Sequence, residues 1–282
     1  MSPNTTEGDA ASLINGAVSA AILAAVRECR PLVHHITNSV TINDCANITI
    51  AVGAAPVMAE APEEVAEMVA AAGALVLNIG TLTQEQVEAM LIAGRRANEL
   101  GIPVILDPVG VGATAFRTET AWKLLDELDV AILKGNTGEI GVLAGAGGSV
   151  RGVDSAGIAG DPVETVQECA RLTGTVVAMT GDVDIVADQR RVFLIENGDP
   201  MMERLSGTGC MVASVTGAFA SVTDDHAFAA ASALAAFGLA GERAASGARG
   251  PYSFRTALVD ELFMLTRDGL IGGARIEEFY GV

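Results

Sequence analysis

Short runs rich in Val, Ile and Leu alternate along the chain with longer amphipathic stretches. Residues 32–36, 74–79, 103–106, 130–133 and 175–179 are short, largely apolar runs bounded by polar or glycine residues. Parallel strands buried on both faces read this way. Residues 42–52, 62–72, 83–100, 119–127 and 162–173 lie between them and read as amphipathic helices. Strand, helix, strand, repeated, implies an α/β layered fold with a mostly parallel sheet and right-handed crossovers. Residues 185–187 and 192–195, joined by Asp188-Gln189-Arg190-Arg191, read as an antiparallel hairpin added at a sheet edge. From Thr208 onward the pattern is almost wholly helical. Residues 145–160, rich in glycine, read as a flexible connection or a flap near a bound nucleotide.

Nothing in the composition divides the chain of 282 residues, and no Pro- or Ser-rich linker interrupts it. One domain over residues 21–282 is expected, with residues 1–20 a flexible tail or the start of a first helix. Aromatic residues are only 4%, so the core must come from Ala, Val, Ile and Leu. The formal net charge of −18 argues against nucleic acid and anionic membranes as partners. The longest weakly apolar run, residues 227–240, is shorter than the roughly 20 residues a membrane span needs. The N-terminal residues lack the basic and apolar regions of a signal peptide. Cys29, Cys45, Cys169 and Cys210 are scattered without a CxxC pair, as reduced thiols of a cytoplasmic protein would be.

In open α/β sheets the chemistry lies beyond the carboxyl ends of the strands. Every expected strand is followed there by small, polar or charged residues. They are Thr37-Asn38-Ser39, then Gly80-Thr81, Asp107-Pro108-Val109-Gly110, Lys134-Gly135-Asn136 with Glu139, and Thr180-Gly181-Asp182. Asp107 and Glu139 are two carboxylates able to hold Mg²⁺ through its water shell, although each also suits a turn or helix start. Asn136 and Glu139 have the spacing of a capping box. Lys134, one of only two lysines, closes an apolar run where it can neutralise a phosphate. His34 and His35 alternate across a strand, and at least one is expected to be packed. Met58 reads as core on its own.

Gly207-Thr208-Gly209-Cys210 precedes a helical run of small residues. A helix N-terminus presents unpaired N–H groups and a partial positive charge, and glycine lets an anion approach them. Cys210 is open to three readings: a buried helix former, a nucleophile, or a polar or thiolate group beside an anion hole that helps take a proton from an alcohol, the thiolate being favoured by the helix dipole.

These residues carry a resemblance. The segments PLVHHITNSVTINDCAN from Pro31, GAAPVMA from Gly53, LNIGTL from Leu77, ILDPVGVGAT from Ile105, KGNTGEI from Lys134, RGVDS from Arg151, MTGDVD from Met179, GDPMM from Gly198 and GTGCM from Gly207 resemble the hydroxyethylthiazole kinases of thiamine salvage. These belong to the ribokinase-like superfamily. The resemblance implies a ribokinase-like three-layer fold. It implies ATP-dependent phosphorylation of the primary hydroxyl of 4-methyl-5-(2-hydroxyethyl)thiazole, with Mg²⁺. It also implies a homotrimer with active sites between subunits. Met58, Asn38, Val40, Gly80 and Gly207 then line the substrate pocket, which overturns the core reading of Met58. Lys134, where the family often has Arg, binds ATP with Thr180 and Asn136. Asp107 and Glu139 are linked to Mg²⁺. Gly207, Thr208, Gly209 and Cys210 form the catalytic turn, Cys210 standing where much of the superfamily has Asp as base. The rival readings are a ribokinase-like kinase of another small alcohol, such as hydroxymethylpyrimidine, and a non-catalytic nucleotide sensor. A thiol acyltransferase using Cys210 is a more distant rival.

Overall fold

The computed structural model describes residues 7–146, 150–151, 154–155 and 160–280. Among them, six strands form the parallel body of one sheet: β1 (Leu32–Ile36), β2 (Ala55–Val57), β3 (Ala74–Asn78), β4 (Val104–Asp107), β5 (Ile132–Asn136) and, after a short ladder of β6 (Val150–Arg151) and β7 (Asp154–Ser155), β8 (Val176–Thr180). Strands β9 (Asp184–Ala187), β10 (Arg191–Ile195) and β11 (Ile276–Tyr280) extend it antiparallel. The spatial order is β11-β10-β9-β8-β5-β4-β3-β1-β2. The expected parallel strands are therefore neighbours, and the expected hairpin lies on the β8 side.

Successive side chains of the strands enter two separate cores, as the pleat requires. Ala74, Val76, Ile105 and Ile132 join one core, while Leu75, Leu77, Leu106 and Leu133 join the other. The first core is closed by α1 (Glu7–Cys29), α2 (Ile42–Val52), α8 (Thr208–Ala220), α9 (His226–Gly247), α10 (Pro251–Met264) and α11 (Arg267–Gly273). The second is closed by α3 (Val65–Ala70), α4 (Gln84–Leu100), α5 (Ala115–Glu127), α6 (Thr137–Leu143) and α7 (Pro162–Thr173). This is the layered α/β arrangement with an antiparallel edge hairpin that the sequence pattern implies, in the three layers that the resemblance implies. The alanine-rich 227–240 run is the buried body of α9.

Four of the described strands escaped the sequence pattern, β6 and β7 pairing antiparallel within the residues read as a flexible connection. The three-residue strand β2 lies at the sheet edge and contains Pro56, which an edge strand tolerates. Strand β11 is the exception to the almost wholly helical pattern expected from Thr208 onward. Its Glu277 and Glu278 hide the strand pattern, yet five residues pair with β10. Strand β5 also runs further than expected, so Lys134 and Asn136 lie within it rather than beyond it. Most of the proposed 145–160 flap lies outside the described residues, as do residues 1–6.

Candidate active site

The parallel strands deliver their last residues to one rim of the sheet, and the first turn of α8 faces that rim. Gly207 caps α8 with φ 97° and no side-chain cap. A Cβ there would meet Thr41 Cγ2 at 2.5 Å. Glycine is therefore required both by the left-handed backbone and by the close approach of Thr41. The opening N–H groups of α8 have no carbonyl in the preceding turn. Lys134 reaches this turn: a Cβ on Gly209 would lie 3.1 Å from its Nζ.

Lys134 is 3% exposed and Asp107 1% exposed. Nζ lies 3.7 Å from Asp107 Oδ1, an ion pair too long for a hydrogen bond, and Oδ1 has no hydrogen-bond partner. Asp107 Oδ2 instead accepts from Asn78 Nδ2 at 2.7 Å. Burial drives the Asp107 carboxyl upward to about 7, with Lys134 acting against it and Glu139 adding to it. Burial opposes the Lys134 ammonium, but Asp107 and Glu139 hold its pKa above the ordinary lysine value.

Cys210 lies against two amides. Its Sγ accepts from Asn38 Nδ2 and from Asn78 Nδ2, each at 3.3 Å. The expectation of a thiol made more acidic by the helix dipole is corrected here. Burial, and then the negative charge of Asp107, raise the Cys210 pKa, with Thr41, Lys134 and Asn38 opposing. Desolvation outweighs the dipole because the sulfur is enclosed between strand ends and α8.

Glu139 is buried at the start of α6 and closes the capping box expected from its spacing. Asn136 accepts from the Glu139 N–H at 2.9 Å, and Glu139 Oε2 accepts from the Asn136 N–H at 2.8 Å. Its Oε1 accepts from the Gly110 N–H at 2.8 Å. Glu139 thus fastens the loop after β4 to the end of β5.

Asn38 Oδ1 accepts from the Val40 and Thr41 N–H groups and from the Thr41 hydroxyl, each at 3.1 Å. Gly80 packs so closely that a Cβ would lie 2.9 Å from Asn38 Cβ. Thr180 ends β8 opposite Asn136, and its hydroxyl donates to the Gly135 carbonyl at 3.4 Å. Thr208 donates to the Met202 carbonyl at 3.1 Å. Met58 lies just past β2, half-buried, and Val40 is 69% exposed. Both lie outside the polar cluster that joins Asn38, Asp107, Lys134 and Cys210. His34 and His35 are both packed beneath the rim and bonded to the Ala59 and Val33 carbonyls.

Residues 23–268 match the family described as HK: Hydroxyethylthiazole kinase family. The chain belongs to that family. A hydroxyethylthiazole kinase of Methanoculleus marisnigri is 75% identical over 278 residues, 99% of this chain and 100% of that protein. One of Methanosphaerula palustris is 65% identical over 88% of this chain and 93% of its own. The solved structure of a hydroxyethylthiazole kinase protein from Pyrococcus horikoshii OT3 is 43% identical and covers 93% of this chain and 99% of its own, with a TM-score of 0.85. A ribokinase-like superfamily protein of Enterococcus faecalis V583, 13% identical over 84% of this chain and 87% of its own with a TM-score of 0.61, shares the fold. The chain is thus an enzyme of this kinase family with the ribokinase-like fold.

Three polar residues of this family member were missed in its sequence. Asn78 ends the apolar run of β3, where a lone amide inside Ala-Leu-Val-Leu-Asn-Ile was the available signal. Arg117, near the start of α5, donates to the Ile79, Gly80 and Val109 carbonyls at 2.9, 2.7 and 2.6 Å, joining the loops after β3 and β4. Asp184 begins β9 and accepts from the Gly181 N–H at 3.0 Å. Burial pushes its carboxyl up to about 7, against the Gly181 bond and the Lys134 charge.

Proposed function

We propose that the chain transfers the γ-phosphoryl group of ATP to the primary hydroxyl of 4-methyl-5-(2-hydroxyethyl)thiazole, yielding the thiazole phosphate and ADP. Family membership supports this reaction. The observation that carries the site assignment is the buried Lys134 reaching Gly209 in the first turn of α8, with Cys210 one residue on.

The alcohol lies beside Cys210, in a pocket formed by Asn38, Val40, Met58, Gly80 and Gly207. Its oxygen forms the new bond to the γ-phosphorus as the bond from that phosphorus to the ADP oxygen breaks. The hydroxyl proton passes to Cys210 Sγ in its thiolate form, which becomes the neutral thiol. A loose transition state needs no strong base, because the proton becomes acidic only as the new bond forms. Burial raises the Cys210 pKa, so the thiolate is the minor form and the stronger proton acceptor when present. Lys134, Thr180 and Asn136 hold the phosphates, and the N–H groups of residues 207–210 stabilise the charge developing on the transferred group.

Asp107 Oδ1, buried without a hydrogen-bond partner, fits a hydrated Mg²⁺. Glu139 fits less directly, since both its oxygens already accept backbone N–H groups. When bound, Mg²⁺ supplies charge neutralisation at the phosphates.

Residues 21–282 act as a single domain in this proposal, and the working assembly is a homotrimer with sites at subunit boundaries. The exposure of apolar Val40 next to the pocket residue Asn38 supports that assembly. A cytoplasmic location accords with four free cysteines and with no described helix being long and apolar enough to cross a membrane.

ADP release with and without the thiazole alcohol tests the reaction. Thiazole-dependent ADP formation that Cys210→Ala lowers at least about tenfold is expected. Undiminished turnover by a folded Cys210→Ala enzyme would remove the base assignment. A hydroxymethylpyrimidine preferred over the thiazole would overturn the substrate.

A further inference from the structure

Every hydrogen-bonding position of the Asn78 side chain is engaged. Its side chain is buried, with the whole residue 2% exposed. Oδ1 accepts from the Gly80 N–H at 2.9 Å and from Asn38 Nδ2 at 2.9 Å. Nδ2 donates to Asp107 Oδ2 at 2.7 Å and to Cys210 Sγ at 3.3 Å. The orientation of the amide follows from chemistry. A backbone N–H can only donate, so the atom facing Gly80 must be the oxygen. The NH₂ group must then face the carboxylate and the sulfur.

We infer that Asn78 is a positioning residue for phosphoryl transfer, its amide aiming the Cys210 sulfur as an acceptor and tying it to Asp107 and the Gly80 loop. This rests on the proposed function of the same site. Asn78 itself is placed to touch neither the alcohol nor the phosphate; it acts through its neighbours. A sulfur that receives two amide N–H groups turns its own proton, or its vacant lone pair, away from them. That leaves one orientation of Cys210 in place of several. The same amide keeps Asp107 Oδ2 occupied and leaves Oδ1 as the free oxygen. One side chain thereby sets both which face of the sulfur and which oxygen of the carboxylate the site presents. Glycine at position 80 is part of this arrangement, since a Cβ there would lie 3.0 Å from Asn78 Oδ1.

Asn78→Asp retains the acceptor that serves Gly80 and Asn38 but removes both donors. Asn78→Ser removes the amide, and with it both N–H donors, without adding charge. Each variant is measured in two ways: steady-state kinetics with ATP and the thiazole alcohol, and iodoacetamide alkylation of Cys210 relative to the exposed Cys29 in the same molecule. Loss of the donors is expected to lower kcat about 30-fold, with the ATP KM within about threefold of wild type, and to slow Cys210 alkylation about tenfold relative to Cys29. Simple loosening of the site would do the opposite to alkylation, because a better exposed thiol reacts faster. Cys210 alkylation equal to or faster than wild type in a folded variant overturns the inference, whatever happens to kcat. Unchanged kcat with slowed alkylation overturns it too. A wild-type enzyme without thiazole-dependent turnover refutes the proposed function instead, and the alkylation result still decides the role of Asn78.

Discussion

The Lys134 ammonium lies 3.7 Å from Asp107 Oδ1 with both side chains almost wholly out of water. Charges in such a place are costly to separate, because the survivor keeps its desolvation penalty without its partner. Lys134→Met should therefore destabilise the protein by about 3–5 kcal/mol where Asp107 is ionised. The effect should depend on pH in one direction. Asp107 has its folded pKa raised to about 7, so it can take up a proton when pH falls. A group raised in this way favours the fold at low pH and loses that contribution as pH rises through the folded value. The loss caused by Lys134→Met should consequently grow between about pH 5.5 and 8. Denaturant unfolding at both values measures it, and Asp107→Asn in the same chain should recover most of the stability. Equal destabilisation at both pH values would mean that Lys134 stabilises by packing rather than by charge.

Gly207→Ala should damage both fold and activity. The substitution places a side chain at φ 97° and drives its Cβ to 2.5 Å from Thr41 Cγ2. The left-handed backbone alone costs roughly 1–2 kcal/mol. Relief of the contact must come from movement of the α8 turn or of Thr41, whose hydroxyl holds Asn38. A fall of roughly 100-fold in kcat/KM is expected if the N–H groups of the turn serve the transferring phosphoryl group. Thr41→Ser, which deletes the clashing methyl group, should recover part of the stability lost in Gly207→Ala. Normal kcat/KM in Gly207→Ala would exclude the turn from the reaction.

Much of this rim was legible because parallel strands buried on both faces have an unambiguous signature. Asp107 ends its strand where the apolar run stops, and Lys134 follows the run 130–133 immediately. Strands β2 and β11 were not legible, since edge strands need neither length nor continuous hydrophobicity. The electrostatics of Cys210 were also beyond sequence. Its place at a helix start is local information, whereas its burial and its neighbourhood with Asp107 depend on residues 103 positions apart in the chain. Arg117 was hidden for a related reason: an arginine early in an amphipathic helix ordinarily faces water, and only the assembled loops reveal three carbonyls around it.

Arg117→Lys should loosen those loops while keeping the charge. A guanidinium reaches several carbonyls through a planar fork, which a single ammonium cannot reproduce. Because Gly80 and Val109 flank the pocket and the Asp107 loop, the KM values for alcohol and ATP should both rise, by about tenfold. In Arg117→Ala, added guanidinium at millimolar concentration should restore part of the lost activity by refilling the same carbonyl cluster. Kinetics of Arg117→Lys indistinguishable from wild type would show that the loops hold their shape without the fork.

Asp184→Asn should stabilise the protein, and more so at higher pH. The Asp184 carboxyl is pushed by burial up to about 7, while its unfolded value is near the ordinary 3.8. A folded pKa above the unfolded one gives stability that is fully present below about pH 4 and lost as pH rises through about 7. The penalty is therefore complete at pH 8 and nearly absent at pH 4. Asparagine retains the oxygen that accepts the Gly181 N–H but carries no charge to desolvate. Unfolding measurements should show a gain on the order of 1–2 kcal/mol at about pH 8 and almost none at about pH 4, after allowance for partial exposure of the side chain. The Lys134 charge pulls the other way, since it favours the ionised carboxylate. A loss of stability at pH 8 in Asp184→Asn would mean that this attraction exceeds the cost of burial. Asp184 would then belong with Asp107 among the charges that keep Lys134 protonated at the mouth of α8.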